Sequence, residues 1–278
     1  MKCLFIGGIN RAGTTLLQSI LCSDSTTNPL IHEASYLRGI LGTYEAAKQK
    51  FDEHGRYYFR SCDALREFTA RWALDFLEQT RSMYPGSETL VLKHPPLTAK
   101  FPLLNELLGE TGIDLHFYIV VRDPRDVVAS LVRIGERLRL AADPEGNTLP
   151  RDMNVLAGYY MNNNMPALSS QDQVNRQRQQ LVSDEDLVTK TGSEVNRLRE
   201  SSGLALDKFR PESDWSRDDI DYASLRASGN AWLSELWGKR ISPDRIGSFR
   251  QVLTGDEIRI LEAACAGPLT TFGYNQSP

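Results

Sequence analysis

A turn near the start of the chain has the spacing of a phosphate-binding loop. From Gly8 to Thr15 the sequence reads G-I-N-R-A-G-T-T, which follows the pattern G-x-x-x-x-G-K-[ST] except that Thr14 replaces the lysine. An apolar stretch precedes the turn and a stretch with helical spacing follows it, so main-chain N–H groups and the positive end of a helix dipole meet there. This arrangement predicts an anion site, with Arg11 as its nearby cation.

The missing lysine affects which phosphate compound such a loop can hold. In loops that bind ATP or GTP, the lysine neutralises the terminal phosphates together with a magnesium ion. A glycine-bearing turn ahead of a helix is also common without any ligand. The loop alone therefore leaves a phosphate site and an ordinary turn as alternatives.

Two titratable side chains follow a second apolar stretch. Residues 89–93 predict a buried strand, and Pro95-Pro96 forbids its continuation past His94. Because ligands of open α/β sheets bind at the carboxyl ends of the strands, Lys93 and His94 are candidates for chemistry. An exposed Lys-His pair at a strand end is the structural alternative.

Another titratable pair, His32 and Glu33, follows a short apolar step that begins at Leu30. If the step is a second strand, it delivers both side chains beside the loop. The same residues also fit the start of a helix with an acidic first turn.

A third strand pattern, L-H-F-Y-I-V-V at 115–121, is followed by Arg122. Asp123 can cap the next helix, and Pro124 suits its first turn because the missing N–H costs nothing there. Helical spacing places Ser130 on the face of Asp123, so Ser130 can lie near Arg122. These two side chains predict a second phosphate position. A salt bridge for Arg122 and a bond from Ser130 to a helix carbonyl are the alternatives.

The end of the chain carries a basic, glycine-bearing segment, 241–253, ahead of a helix that Thr254 or Asp256 can cap. The segment is a candidate lid over the site, or simply a basic connector. Residues 37–83 predict helices that follow the first strand and helix, whose aromatic side chains suit the core or an acceptor pocket. The charged stretch 210–221 predicts a loop, and we assign no chemistry to the polar segment 141–180.

Length and composition limit the class of protein. No linker rich in Pro, Gly or Ser divides the 278 residues, so we expect one α/β domain over 1–278, with a parallel sheet flanked by helices and with helical insertions. A net charge of −4 argues against general nucleic-acid binding. Four scattered cysteines suit reduced thiols in the cytoplasm and lack metal-ligand spacing. No stretch has the length and apolarity of a membrane span.

The ordered motifs resemble the sulfotransferases that use 3′-phosphoadenosine 5′-phosphosulfate. The first motif is G-x-x-x-x-G-T-T, and the second is R-D-P-R-D with a serine eight residues after Arg122. The stretch 181–188 is similar to the Y-E-D-L-V element of that family, and 245–250 is similar to its late cofactor loop. The resemblance spans nearly the whole chain and is weakest over 141–180.

The resemblance implies a P-loop-type fold and a donor that is held without metal at two phosphate positions. The 3′-phosphate would contact Arg122 and Ser130, and the late loop would add Gly247 and Arg250. The 5′-phosphosulfate would lie on Arg11, Ala12, Gly13, Thr14 and Thr15.

Sulfuryl transfer to a hydroxyl needs a base for the acceptor proton and a cation where charge grows on the leaving phosphate oxygen. The motifs are most similar in style to the tyrosylprotein and bacterial branch, in which a glutamate after the first helix is the base and a lysine at a strand end assists the leaving group. The matching residues here are Glu33 and Lys93. The cytosolic small-molecule branch uses a histidine, which makes His94 the rival base and His32 a weaker one.

Some positions depart from the family pattern. The loop has Asn10 and Arg11 where the family often has Pro or Lys, and Ala12 where it often has serine. Asp184 replaces a tyrosine, which removes one expected contact on the adenine side or at the 3′-phosphate.

Two other functions remain as alternatives to a sulfotransferase acting on a hydroxyl-bearing acceptor. The first is an ATP- or GTP-dependent phosphotransferase, against which stand Thr14 and the arginine, rather than an acid, that follows the strand at 115–121. The second is a non-catalytic nucleotide-binding protein of the same fold, which would not need Glu33 and Lys93. Peptide tyrosine, sugar, lipid and small alcohol all fit as acceptors.

Overall fold

The structure is a computed structural model that describes residues 1–140, 149–209, 231–234, 236 and 239–274. In these residues a four-stranded sheet is covered by helices on both faces. No helix in the same residues combines the length and the apolar character needed to cross a membrane. The charged stretch for which the sequence predicts a loop, 210–221, lies outside the described residues.

The part of the chain that the structure describes contains four strands and eleven α-helices. The strands are β1 (Lys2–Gly8), β2 (Thr89–Lys93), β3 (Asp114–Val121) and β4 (Gln179–Ser183). The helices are α1 (Thr14–Leu21), α2 (Ser35–Gln49), α3 (Cys62–Met83), α4 (Phe101–Leu108), α5 (Pro124–Leu140), α6 (Met153–Leu168), α7 (Gln173–Gln177), α8 (Asp184–Thr189), α9 (Thr191–Ser202), α10 (Gly255–Ala264) and α11 (Ala266–Thr271). Short 3₁₀ turns lie at Gly55–Tyr57, Pro95–Lys100, Leu206–Lys208 and Ser248–Gln251.

All strand pairs are parallel, and their order in the sheet is β2-β1-β3-β4. Ile6 of β1 pairs with Lys93 at the end of β2. Gly8, the last residue of β1, pairs with Val120 of β3. The carboxyl ends of the strands therefore meet at one edge of the sheet, which is where open α/β folds bind ligands. The α/β fold with a parallel sheet flanked by helices, expected from the sequence, is confirmed.

Side chains alternate along the strands between two separate cores. Leu4 and Val120 belong to the core on one face, which also contains α1 and α5. Phe5 and Phe117 belong to the core on the other face, where their ring centroids lie 5.9 Å apart and where α2, α3 and α4 pack. Because both faces are buried, the strands are continuous apolar runs rather than alternating ones.

The segment before α2 is not a strand. Thr27 forms an isolated bridge to Thr89, and the Asn28 side chain then bonds along β2, accepting from the Val91 N–H at 2.7 Å and donating to its carbonyl at 3.2 Å. An asparagine side chain thus takes the place of a strand partner. The following residues run beside β2 as irregular chain until α2 begins at Ser35.

Helix α6 fills much of the polar segment to which the sequence analysis assigned no role. Its Tyr160 hydroxyl donates to the Arg122 carbonyl at 3.0 Å, and its Asn163 side chain donates to the Pro95 carbonyl at 3.3 Å. The helix therefore supports the chain where it leaves both β2 and β3. Its periodicity is weak because polar side chains, among them Asn163 and Asn164, are buried.

A close approach at Gly7 joins β1 to the turn after β2. A Cβ at Gly7 would lie 2.5 Å from Thr98 Oγ1 and 2.7 Å from the Phe101 ring. We expect Gly7→Ala to lower the free energy of unfolding by about 1–3 kcal/mol through overpacking, as measured by urea denaturation.

Gly39→Ala is the matched control, because a Cβ at Gly39, inside α2, meets nothing within 4 Å. This second change should raise the free energy of unfolding by about 0.5–1 kcal/mol through helix propensity. Equal stability of the Gly7→Ala protein and the unmodified protein would show that the contact between β1 and the turn is not close-packed.

Candidate active site

The loop between β1 and α1 forms an uncapped helix N-terminus. Gly13 is the N-cap residue of α1, with φ of 85°, and no side chain caps the helix. The first-turn N–H groups of a helix have no intrahelical partner, so this terminus suits an anion. Arg11 is a non-glycine residue in the left-handed region, with φ of 78°, and this strain helps to curl the loop. All residues of α1 except Thr15 are buried.

The carboxylate of Asp184 on α8 packs closely against Gly13. A Cβ on Gly13 would lie 1.9 Å from Asp184 Oδ1, so the carboxylate would have to move. The second glycine of the loop motif therefore serves both the backbone angle and the close approach of this acid.

Arg122 joins three parts of the chain at the end of β3. Its Nη1 donates to the Arg11 carbonyl at 3.0 Å, and its Nη2 donates to the Arg245 carbonyl at 3.1 Å. Its Nε lies 3.3 Å from Asp184 Oδ2. The guanidinium thus ties the first loop to the late segment of the chain.

Arg11 and Ser130 are in direct contact. Arg11 Nε donates to Ser130 Oγ at 3.0 Å, and Arg11 Nη1 donates to the Trp232 carbonyl at 3.0 Å. From the sequence, Arg11 is predicted at the loop phosphate and Ser130 at the second one. The structure places the Arg11 guanidinium beside Ser130.

The late loop is anchored by an acid that the sequence analysis missed. Asp126 on α5 accepts from the N–H groups of Gly247 at 2.7 Å and Phe249 at 2.9 Å, and burial is the main cause that raises its pKa. Its position four residues after Arg122, in the R-D-P-R-D motif, was the available signal. Gly247 has φ of 71° and thus allows the turn, while the Arg250 guanidinium lies over the Phe249 ring at 4.5 Å.

A cavity of about 420 Å³ lies between the first loop, the start of α5 and the late loop. Its wall includes Gly13, Thr14 and Thr15 from the first loop. Neither Gly247 nor Arg250 lines it; the late loop contributes neighbouring residues instead. Within the part of the chain that the structure describes, the lining cations are Arg11, Arg122, Arg133, Arg137, Arg240 and Arg245, and the lining carboxylates are Asp126, Glu136 and Asp184.

Among the described lining residues, six arginines against three carboxylates make the cavity suitable for a ligand with several negative charges. Sequence reasoning identified two of these arginines, Arg11 and Arg122. Within the described ranges, no group of three or more His, Cys, Asp and Glu side chains is arranged to hold a metal ion.

The titratable residues of β2 and of the segment before α2 meet beside the first loop. Lys93 Nζ donates to Glu33 Oε1 at 3.1 Å and to Thr15 Oγ1 at 3.2 Å. His94 Nδ1 lies 3.3 Å from Glu33 Oε2 but lacks hydrogen-bond geometry. Thr15 therefore links the uncapped helix to this cluster. His32, the weaker candidate, is exposed.

Glu33, Lys93 and His94 differ in solvent exposure, and this difference limits the role that each can take. The side chain of Glu33 is 40% exposed, whereas the side chains of Lys93 and His94 are 10% and 6% exposed. Burial lowers the pKa of Lys93, and the Glu33 carboxylate opposes that change. Burial also lowers the pKa of His94, so its imidazole is neutral at pH 7. Glu33 is the member of the cluster that a molecule from solvent can reach.

Comparison with solved structures identifies several sulfotransferases with this fold. The sulfotransferase domain of the Synechococcus PCC 7002 olefin synthase is 17% identical and aligns over 100% of this chain and 96% of its own, with a TM-score of 0.58. The sulfotransferase domain from the curacin biosynthetic pathway is 16% identical and aligns over 99% and 98%, with a TM-score of 0.59. Sulfotransferase STF9 from Mycobacterium avium is 15% identical and aligns over 99% and 78%, with a TM-score of 0.55.

At these identities the structural likeness shows a shared fold. No curated protein matches the chain significantly by sequence. The family model described as "Sulfotransferase family" matches residues 4–208, which include the first loop, Glu33, Lys93, Arg122 and Ser130. Because that match covers well over half of the sequence and the fold agrees, this chain belongs to the sulfotransferase family.

Proposed function

We propose that this protein transfers a sulfuryl group from 3′-phosphoadenosine 5′-phosphosulfate to a hydroxyl of an acceptor. The observation that carries the proposal is that the first loop and the residues Arg122 and Ser130 line one cavity, and that Thr15 of this cavity contacts Lys93, the partner of Glu33. A donor with two separate phosphate positions matches that arrangement.

The residues present fit such a donor at each end. The uncapped α1 terminus, with Gly13, Thr14 and Thr15, suits the 5′-phosphosulfate. Arg122 and Ser130, together with Arg11, suit the 3′-phosphate, because all three line the same cavity and Arg11 Nε contacts Ser130 Oγ. Ala12 contributes backbone to the first loop. Gly247 would shape the late loop, and Arg250 remains a predicted donor contact.

The chain's own residues then supply proton transfer and charge stabilisation. The donor provides an activated sulfuryl group. Glu33 accepts the proton of the acceptor hydroxyl, since its carboxylate is the solvent-accessible member of the cluster. Lys93 lies between Glu33 and Thr15, so its ammonium is placed to stabilise negative charge that grows on the leaving oxygen.

The neutral, buried imidazole of His94 supports Glu33 in this proposal rather than replacing it. His94 faces the Glu33 carboxylate and not the solvent. The four cysteines are free thiols, three of them buried, which suits the cytoplasmic location we propose.

The donor experiment compares two ligands by thermal melting. Adenosine 3′,5′-bisphosphate without magnesium should raise the melting temperature more than ATP with magnesium does. In the proposal, Arg122 and Ser130 bind a 3′-phosphate, and the first loop lacks the lysine that ATP-binding loops use. A ligand at a hundred times its Kd stabilises a protein by about 2.7 kcal/mol, which is measurable as a shift of several degrees.

Ser130→Ala should reduce the shift caused by adenosine 3′,5′-bisphosphate. The control Ser193→Ala removes a hydroxyl on α9 that donates to the Lys190 carbonyl and should leave the shift unchanged. An equal or larger shift with ATP and magnesium would overturn the proposal in favour of a phosphotransferase.

The base is tested by substitution once an acceptor is known. Incubating the protein and labelled donor with a metabolite extract, followed by mass spectrometry of sulfated products, identifies that acceptor. Glu33→Gln should then lower kcat by about 10²- to 10⁴-fold while adenosine 3′,5′-bisphosphate still binds.

Glu45→Gln is the matched control, since Glu45 lies on α2, is 42% exposed and pairs with Lys100. This variant should retain turnover. Loss of turnover in His94→Gln with an active Glu33→Gln protein would reverse the assignment of the base. Donor binding without turnover on any extract would favour the non-catalytic alternative.

A further inference from the structure

The carboxylate of Asp184 lies inside the cavity, between the two groups that we propose bind the donor. Asp184 is the first residue of α8 and follows β4 at the same edge of the sheet. Its Oδ1 lies against Gly13 at the α1 terminus, and its Oδ2 lies 3.3 Å from Arg122 Nε. The side chain is 9% exposed. A buried negative charge therefore already occupies part of an anion site.

The neighbouring acids have other roles. Asp126 accepts from the main-chain N–H groups of Gly247 and Phe249. Glu185 accepts from the Asp123 N–H at 2.9 Å and from the Tyr274 hydroxyl at 2.8 Å. Asp126 also lines the cavity, but its carboxylate, like that of Glu185, holds parts of the protein together, whereas that of Asp184 pairs with Arg122 of the proposed donor site.

Charged groups from four elements act on Asp184. Arg11 in the first loop and Arg122 after β3 favour its ionised form. Asp126 on α5 and Glu185 on α8 oppose that form. Burial is the largest cause, and the combined effect raises the pKa of Asp184 to about 6 in the ligand-free protein.

Building on the proposed function, we propose that Asp184 is a positioning residue that acts as the counter-ion of Arg122 until a donor phosphate replaces it. Asp184 then takes up a proton from solvent. Arg122 gains a phosphate oxygen as its partner, and the neutral carboxylic acid becomes a hydrogen-bond donor toward the phosphate. No covalent bond forms or breaks, and the added proton offsets one of the ligand's negative charges.

The physical reason is repulsion in a buried site. A phosphate beside an ionised, desolvated carboxylate favours the protonated acid, so bound ligand raises the pKa of Asp184 further. A group that binds its proton more tightly in the complex makes ligand binding take up a proton. Affinity then rises as pH falls through the pKa of the complex, and it levels off below about pH 6, where the ligand-free protein is already protonated.

Calorimetric titration with adenosine 3′,5′-bisphosphate tests this inference. Titrations of the unmodified protein at pH 7, in buffers with different heats of ionisation, should show net uptake of a proton, up to one per ligand. Between pH 8 and pH 6 the Kd should fall by up to about tenfold per pH unit, the limit for one linked proton.

Asp184→Asn should bind adenosine 3′,5′-bisphosphate more tightly than the unmodified protein at pH 8 and should lack this uptake. The titration of the ligand's own phosphates is common to all the proteins and cancels in the comparison. The matched control is Asp186→Asn, because Asp186 lies on the same helix, is 40% exposed and pairs with Lys190. This control should retain the uptake and the pH slope of the unmodified protein.

Two results would overturn the inference. If the unmodified protein shows no proton uptake on binding adenosine 3′,5′-bisphosphate once the protons released by the ligand's own phosphates are accounted for, Asp184 does not change its protonation, and this measurement requires no variant to fold. Equal uptake by a folded Asp184→Asn protein would assign the proton to another group. Failure of the unmodified protein to bind the ligand at any pH is a distinct result, which would overturn the proposed function and this inference together.

Discussion

The parallel pairing of β1 between β2 and β3 is the constraint on which the rest of the structure depends. Its register aligns the ends of three strands, so that Gly8, Lys93 and Arg122 leave the sheet at the same edge. Each of these exits leads into a different part of the site. A shift of β1 by one residue would exchange its two buried faces and break both cores as well as the site.

The sequence predicts those strands and helices whose own apolar pattern or capping residues match the burial that they have in the fold. Strands β1 to β3 are apolar on both faces and were evident as continuous runs. The helix after residue 254 was also evident, because Thr254 and Glu257 form a reciprocal capping box. In this helix Leu261 is buried and Ala264 is exposed.

The rest depended on contacts that a sequence does not display. Helix α6 buries asparagines that bond to other segments, so its apolar periodicity is weak. The Arg11 guanidinium donates to Ser130 and to the Trp232 carbonyl, which lie 119 and 221 residues away in the sequence. The buried position of Asp184 follows from β4 joining the sheet beside β3, a long-range event. The sequence therefore predicts which residues are candidates for the site better than it predicts which of them contact one another.

The burial of α1 has a consequence for the ionic strength at which the loop works. Water and mobile ions do not surround this helix, because its residues other than Thr15 are enclosed by protein. The field at its N-terminus is therefore weakly screened. Exposed cations at the cavity rim, such as Arg240, are screened within about 8 Å at physiological salt. As the salt concentration rises, the long-range electrostatic attraction between the cavity and an anionic ligand should therefore weaken first. The interaction between the first loop and an anion already bound there should weaken only at higher salt.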